Sequence, residues 1–303
     1  MTRINIIDGI IMSAENESES IHFEQPLLFG LVLTLLYGLI AYLPEILDLE
    51  NVLFASNLSP FASIFFVFVS RFTLSGILWI ILLPIALYYM KGTSSRDFVD
   101  SIRLHPNRMA RRNILLGIIV SFSFLICVVF TAILLGVYTS NFSLLVSPDY
   151  ENGLGWFIFI FALIPGVWEE IAFRGIILTF LLSKYSVRKA LILDGLLFAL
   201  FHIFNYLILG QDLLSVLLQS IAAIFVGVTL AYLTIKTGSI LPAIIIHYSI
   251  DVTLFISGFI FDFSNENSTL IFALLSLIII PPLLIYIFTL IFENDSKGDI
   301  TDS

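Results

Sequence analysis

An all-α integral membrane protein, with about eight transmembrane helices around an intramembrane polar cavity, is the fold the sequence predicts. Three observations carry this: composition, the recurrence of apolar runs, and the segregation of positive charge. Of 303 residues, 59% are hydrophobic and 12% charged, with a mean hydropathy of +1.04. Average globular domains run about 45–50% apolar and about 25% charged. So few polar residues cannot clothe a water-facing domain, and the apolar runs must face lipid. The net charge of −9 argues against a nucleic-acid partner, since phosphate binding needs a Lys/Arg surplus. Cys127 is the single cysteine and has no intramolecular disulfide partner, so cysteine usage does not report the redox compartment.

From Leu27 onward, runs long enough to cross roughly 30 Å of hydrocarbon at about 1.5 Å per residue recur between polar breaks. The expected spans are 27–43, 72–90, 114–138, 156–183, 190–208, 213–235, 240–260 and 269–292. The Phe-rich stretch 58–70 either extends the second span or lies along the interface. The acidic residues 1–26 and 293–303 read as solubilising tails flanking one transmembrane domain,. The start lacks a basic stretch followed by a compact apolar core, so no cleavable signal peptide is expected,.

With these spans, 12 of the 14 basic residues fall on one side: Arg3, Lys91, Arg96, Arg103, Arg108, Arg111, Arg112, Lys184, Arg188, Lys189, Lys236 and Lys297. Arg71 lies on the other side and Arg174 inside a span. Lys and Arg mark the cytoplasmic face, which puts both termini there. Segment 91–112 intersperses its arginines with Phe98, Val99, Ile102 and Leu104. That pattern fits a short helix lying on anionic headgroups or a solvated topology-setting loop.

Ionisable groups inside hydrocarbon are costly and persist when paired and turned toward a protein interior. They concentrate in three spans. The fourth carries Trp168-Glu169-Glu170-Ile171-Ala172-Phe173-Arg174-Gly175, the fifth Asp194 and Phe198-Ala199-Leu200-Phe201-His202, and the seventh His247-Tyr248-Ser249-Ile250-Asp251. Counted along each helix from its cytoplasmic end, Glu169 lies ~21 Å deep, His202 ~18 Å, His247 ~10 Å and Asp251 ~16 Å,. Carboxylate and imidazole from separate helices thus reach similar depth. Glu170 and Arg174, four apart and acid first, read as a charge-compensating pair, and His247 and Asp251 share the same spacing. Asp194 reads as a first-turn acid favoured by a helix N-terminus near the interface.

One carboxylate and two imidazoles suit several chemistries. Glu169, screened from bulk water by Ile and Phe neighbours, suits a general base taking a proton from water, with an imidazole donating to the oxyanion. The same groups suit zinc or iron ligation, or proton relay in a transporter. Repeated halves and paired broken helices, the marks of a transporter, are not evident in the sequence.

The runs EEIAFRG at 169–175, FALFH at 198–202 and HYSID at 247–251 resemble the EExxxR, FxxxH and HxxxN/D motifs of the CPBP family. This is the membrane-embedded CAAX protease and bacteriocin-processing family, also called Abi. The likeness covers about residues 156–257, a third of the chain. It implies an intramembrane glutamate protease in which Glu169 and His202 activate water while His247 and Asp251 stabilise the oxyanion. Glu170, Arg174 and Phe198 would take the supporting motif positions, and no metal or other cofactor is required. The implied substrate is a peptide or protein, lipidated or not; cytoplasmic termini fit a prokaryotic plasma membrane or an endoplasmic-reticulum membrane, and the compact chain favours the former. Asp251 stands where the prenyl-protease form carries Asn, and an ionised carboxylate cannot donate to an oxyanion. Asp251 could instead accept from the His247 ring and keep it cationic, leaving the other N–H for the oxyanion. Relatives that have lost motif residues suggest a second reading, a non-catalytic membrane scaffold or regulator.

Overall fold

In the computed structural model, residues 24–49, 52, 60–92, 94–104, 109–139, 155–262 and 264–301 are described. Among them the chain is helical, apart from one isolated antiparallel bridge between Tyr138 and Phe261. The helices are α1 (Pro26–Ala41), α2 (Leu43–Ile46), α3 (Phe61–Met90), α4 (Ser95–Ser101) and α5 (Ala110–Leu135). There follow α6 (Gly155–Leu182), α7 (Val187–Leu207), α8 (Leu213–Thr237), α9 (Leu241–Ile260) and α10 (Asn267–Phe292), whose backbone continues to Thr301.

Six of these, α3, α5, α6, α7, α8 and α10, are long and apolar enough to cross a membrane. The shorter apolar helices α1 and α9 occupy the places of the expected first and seventh spans. The second span is longer than the polarity of Arg71 suggests: α3 runs unbroken for 30 residues from Phe61. Arg71 can stay in this helix because Glu45 pairs with its guanidinium, which also lies 5.4 Å from the Tyr42 ring centroid.

Helix ends follow local chemistry. Asp212 accepts a hydrogen bond from the Ser215 amide at 2.9 Å and starts α8, and Asn265 does the same for Ser268 at 3.1 Å,. Gly136 ends α5 in the left-handed region at φ 69°, where a Cβ is disfavoured,.

The helices sort by depth. On α5, Leu116, Val120, Phe124, Val128 and Ala132 are buried, whereas Phe122, Ile126, Phe130 and Leu134 are exposed. The first set recurs every four residues and packs inward; the second is the apolar surface a bilayer would solvate. Helix α6 is mostly buried instead and forms the centre of the bundle.

Central helices must approach closely, because without an aqueous driving force helix association relies on backbone packing. Gly195 of α7 and Gly227 of α8 make such a crossing: a Cβ on Gly227 would lie 3.0 Å from the Gly195 Cα. Likewise a Cβ on Gly166 of α6 would stand 3.0 Å from the Tyr248 Cα of α9.

The short helix α4 does not lie on the lipid surface. Phe98 and Ile102 are buried in the protein, and Ile102 sits under Gly175 of α6. Arg103 donates from Nη1 to the Thr179 hydroxyl at 3.0 Å, and Thr179 Oγ1 is 3.1 Å from the Ser101 carbonyl. The apolar residues of this segment are therefore core contacts. Arg108 and the first 23 residues lie outside the described residues.

Replacing Gly195 with Ala tests the α7–α8 crossing. Its Cβ would lie 2.9 Å from the Ile224 carbonyl oxygen, a backbone atom that cannot rotate away. The expected loss is about 1–3 kcal/mol, read as earlier thermal unfolding in detergent. Ile192→Ala, at an exposed position of the same helix, should change stability by no more than about 0.5 kcal/mol. Equal unfolding of both variants would contradict this packing.

Candidate active site

The site begins with a proline. Pro165 has no N–H to return to the preceding turn, and its ring crowds the carbonyl four residues back. Helix α6 widens here into π-helical turns over Ile164–Glu169 and Ile171–Ile177. Such widening is a known way to absorb a disruption of the α-helical ladder and is frequent at functional sites. It carries Glu169, Glu170 and Arg174 toward α7 and α9.

Glu170 and Arg174 are fully buried. Arg174 donates from Nη1 to Glu170 Oε1 at 3.0 Å, and His247 Nδ1 lies 2.7 Å from that same oxygen. His247 Nε2 faces two further carboxylates, Asp251 Oδ2 at 3.4 Å and Glu169 Oε2 at 3.8 Å. With an acid at each ring nitrogen, the geometry suits an imidazolium that donates from both. The short hydrogen bond of the ring is therefore accepted by Glu170. Asp251, four residues along α9, stands farther off on the Nε2 side. Sequence spacing alone pointed to Asp251 as the acceptor, because it lies on the same helix as His247 and Glu170 does not.

His202 stands apart from these carboxylates. Its Nδ1 lies 2.9 Å from the Phe198 carbonyl oxygen. A carbonyl can only accept, so Nδ1 carries the proton, and in the neutral form of the ring Nε2 presents its lone pair. The Phe198 ring sits edge-on to both imidazoles, with centroids 4.9 Å from His202 and 5.6 Å from His247. It also lies 4.3 Å from the Arg174 guanidinium carbon. One aromatic ring thus spaces the two histidines and carries the cation.

Asp194 departs from its expected place. Helix α7 starts at Val187, so Asp194 is two turns inside it and fully buried. Its Oδ2 lies 3.7 Å from Arg174 Nε, an ion-pair distance rather than a hydrogen bond. The first-turn reading fails because the helix begins three residues earlier than the apolar run at 190 suggests.

A second polar chain went unread because it contains no ionisable residue of the usual kind. Tyr42 donates to Asn205 Oδ1 at 2.5 Å, and Asn205 Nδ2 donates to Gln219 Oε1 at 2.8 Å. Asn205 follows His202 by three residues, the spacing that could have exposed it. Tyr37 and Tyr42 are both within electrostatic reach of Glu169, and the Tyr37 ring stacks on Phe201 at 4.9 Å.

Among the described residues, no three His, Cys, Asp or Glu side chains converge as metal ligands would. A cavity of about 310 Å³ lies between α2 and α3, lined by Leu43, Pro44, Val69, Ser70, Thr73 and Leu74. Its walls are largely apolar and contain none of the buried acids or imidazoles.

Removing Arg174 would leave Asp194 buried without its cation and Glu170 with the His247 ring alone. Arg174→Met should destabilise the protein by about 3–5 kcal/mol, measured by thermal unfolding in detergent. A variant as stable as wild type would mean that the guanidinium is not what compensates these acids.

Residues 151–253 match the family described as type II CAAX prenyl endopeptidase Rce1-like. No curated protein and no solved structure matches the chain. The matched third contains helices α6, α7 and α8, most of α9, and every acid and imidazole of the cluster. Over that segment the chain is similar to the CAAX protease (CPBP) family, and its six long apolar helices mark it as an integral membrane protein.

Proposed function

We propose that the protein is an intramembrane peptidase of the CAAX-protease type that hydrolyses a peptide bond with Glu169 and His202 acting on water. The observation that carries this reading is the fixed His247 ring, gripped at Nδ1 by Glu170 with Nε2 turned toward Glu169. A donor held so rigidly beside a carboxylate is what hydrolysis requires, because the oxyanion appears next to the group that removes the proton.

In this mechanism the water oxygen attacks the carbonyl carbon while Glu169 takes one of its protons. The His202 Nε2 lone pair accepts a hydrogen bond from the same water and aims it. The carbonyl oxygen becomes an oxyanion and accepts from His247 Nε2. Collapse of the tetrahedral carbon breaks the C–N bond, and the proton held by Glu169 passes to the departing amine. All atoms are accounted for without a metal. Asp251, on the Nε2 side, keeps the imidazole charged until the oxyanion forms.

The same proposal includes eight membrane crossings, with α1 and α9 as short spans, and both termini in the cytoplasm. It also includes a polar cavity that admits water and the substrate chain around the buried acids. The substrate is a peptide or protein met within the bilayer, with a lipidated C-terminus the chemistry suggested by the family match. The alternative, a non-catalytic membrane scaffold or regulator, explains neither the directed His202 lone pair nor the grip on His247.

Purified protein in detergent, incubated with a peptide library that includes farnesylated C-terminal peptides, tests this. Glu169→Gln and His202→Ala should each lower cleavage by about 10²–10⁴-fold, and a chelator should have no effect. Folded wild type that cleaves nothing in the library, while retaining a co-purifying partner, would favour the scaffold. Cleavage abolished by the chelator would replace the metal-free step with a metal-dependent one. Asp251→Asn should reduce hydrolysis, and unchanged or faster turnover would remove Asp251 from the mechanism.

A further inference from the structure

We infer that Asp194 is a positioning residue of this site, acting on His247 through Arg174 and Glu170. The inference rests on the proposed peptidase reading for its importance, though its geometry stands independently. Three contacts form one line: Asp194 Oδ2 to Arg174 Nε at 3.7 Å, Arg174 Nη1 to Glu170 Oε1 at 3.0 Å, and Glu170 Oε1 to His247 Nδ1 at 2.7 Å.

Charge partition makes Asp194 necessary. A single oxygen of Glu170 receives both the guanidinium and the imidazole. Asp251 and Glu169 face the imidazole at Nε2, whereas the guanidinium pairs with Glu170 and Asp194, and a buried charge without its counterpart is strongly destabilising. Asp194 supplies the second negative charge on the far edge of the guanidinium, so that Glu170 remains available to the His247 ring.

Packing fixes the guanidinium in that plane. Its carbon lies 4.3 Å from the Phe198 ring centroid, a cation–π arrangement. A Cβ on Gly227 of α8 would stand 3.3 Å from Nη2. With Glu170 on one edge, Asp194 on another, an aromatic ring beside it and a bare backbone behind Nη2, the rigid fork has one orientation. The neighbour of Asp194, Gly195, makes the close crossing that brings Gly227 there. Asp194 and the helix crossing are thus parts of one device.

The test uses the full chain in detergent micelles, labelled with ¹⁵N at histidine, and a farnesylated C-terminal peptide as the activity probe. The His247 ring signals are assigned with His247→Gln. In Asp194→Asn, which keeps the shape and removes the charge, the His247 ring signals should shift or split. The kcat for the peptide should fall roughly 10- to 100-fold with KM within about twofold. Asp194→Glu should recover part of both. Unchanged His247 signals in folded Asp194→Asn would overturn the inference, as would a loss of activity that follows only the folded fraction and that Asp194→Glu does not recover. If wild type leaves the peptide intact, the peptidase reading fails on this probe while the ring signals still decide the role of Asp194. Gly227→Ala displaces the guanidinium without removing any charge and serves if Asp194→Asn does not fold. Movement of the His247 signals in that variant supports the device, and their constancy refutes it.

Discussion

One oxygen of Glu170 accepts from two cationic groups on different helices, Arg174 of α6 and His247 of α9. Around it the membrane-embedded interior is organised. A charge pair confined to one helix would be satisfied locally and would say nothing about the rest of the bundle. Sharing the acceptor ties α9 to α6, and the second edge of the guanidinium ties α6 to α7 through Asp194. In a low-dielectric interior these links must be mutually compensating, since each charge left alone there is expensive. That requirement accounts for the absence of side chains at Gly166 and Gly227, where a Cβ would crowd the α9 backbone or the guanidinium.

The π-helical turns of α6 are the backbone counterpart of the same constraint. In an ideal α-helix, Glu169 and Glu170 project about 100° apart and cannot both meet one imidazole on a neighbouring helix. Widening the helix from Ile164 to Ile177 changes that angular step, so that both acids lie near His247, at 3.8 Å and 2.7 Å. Pro165 makes the widening local to the site. The fold and the chemistry thus share a single irregularity.

Much of this was legible in the sequence. Apolar length located the helices, because lipid imposes a strict demand on run length, and costly polar residues marked the site. Glu169, Glu170, Arg174, His202 and His247 stood out as ionisable groups in hydrocarbon. What could not be read were pairings between helices. Asp251 looked like the natural acceptor for His247 because i,i+4 spacing is visible in a sequence, whereas the closer contact from Glu170 crosses 77 residues. Asp194 was hidden by a boundary error of one turn, which converts a central acid into an apparent cap. Phe98 and Ile102 fitted either a helix on the headgroups or a solvated loop, because the sequence does not show their partners in the core. Both are buried in the structure, with Ile102 packed against Gly175.

The two histidines then differ for a reason of partnership. His202 donates to a backbone carbonyl, an acceptor with no charge to lend, which suits a neutral ring with one free lone pair,. His247 is surrounded by three acids, which suits a ring that keeps both protons. The proposed hydrolysis uses both kinds, one to aim the water and one to receive the negative charge. Phe198 lies against both rings, contacting each edge-on. The proposed division of labour thus rests on which acceptors each helix presents to its histidine, a carbonyl to His202 and carboxylates to His247.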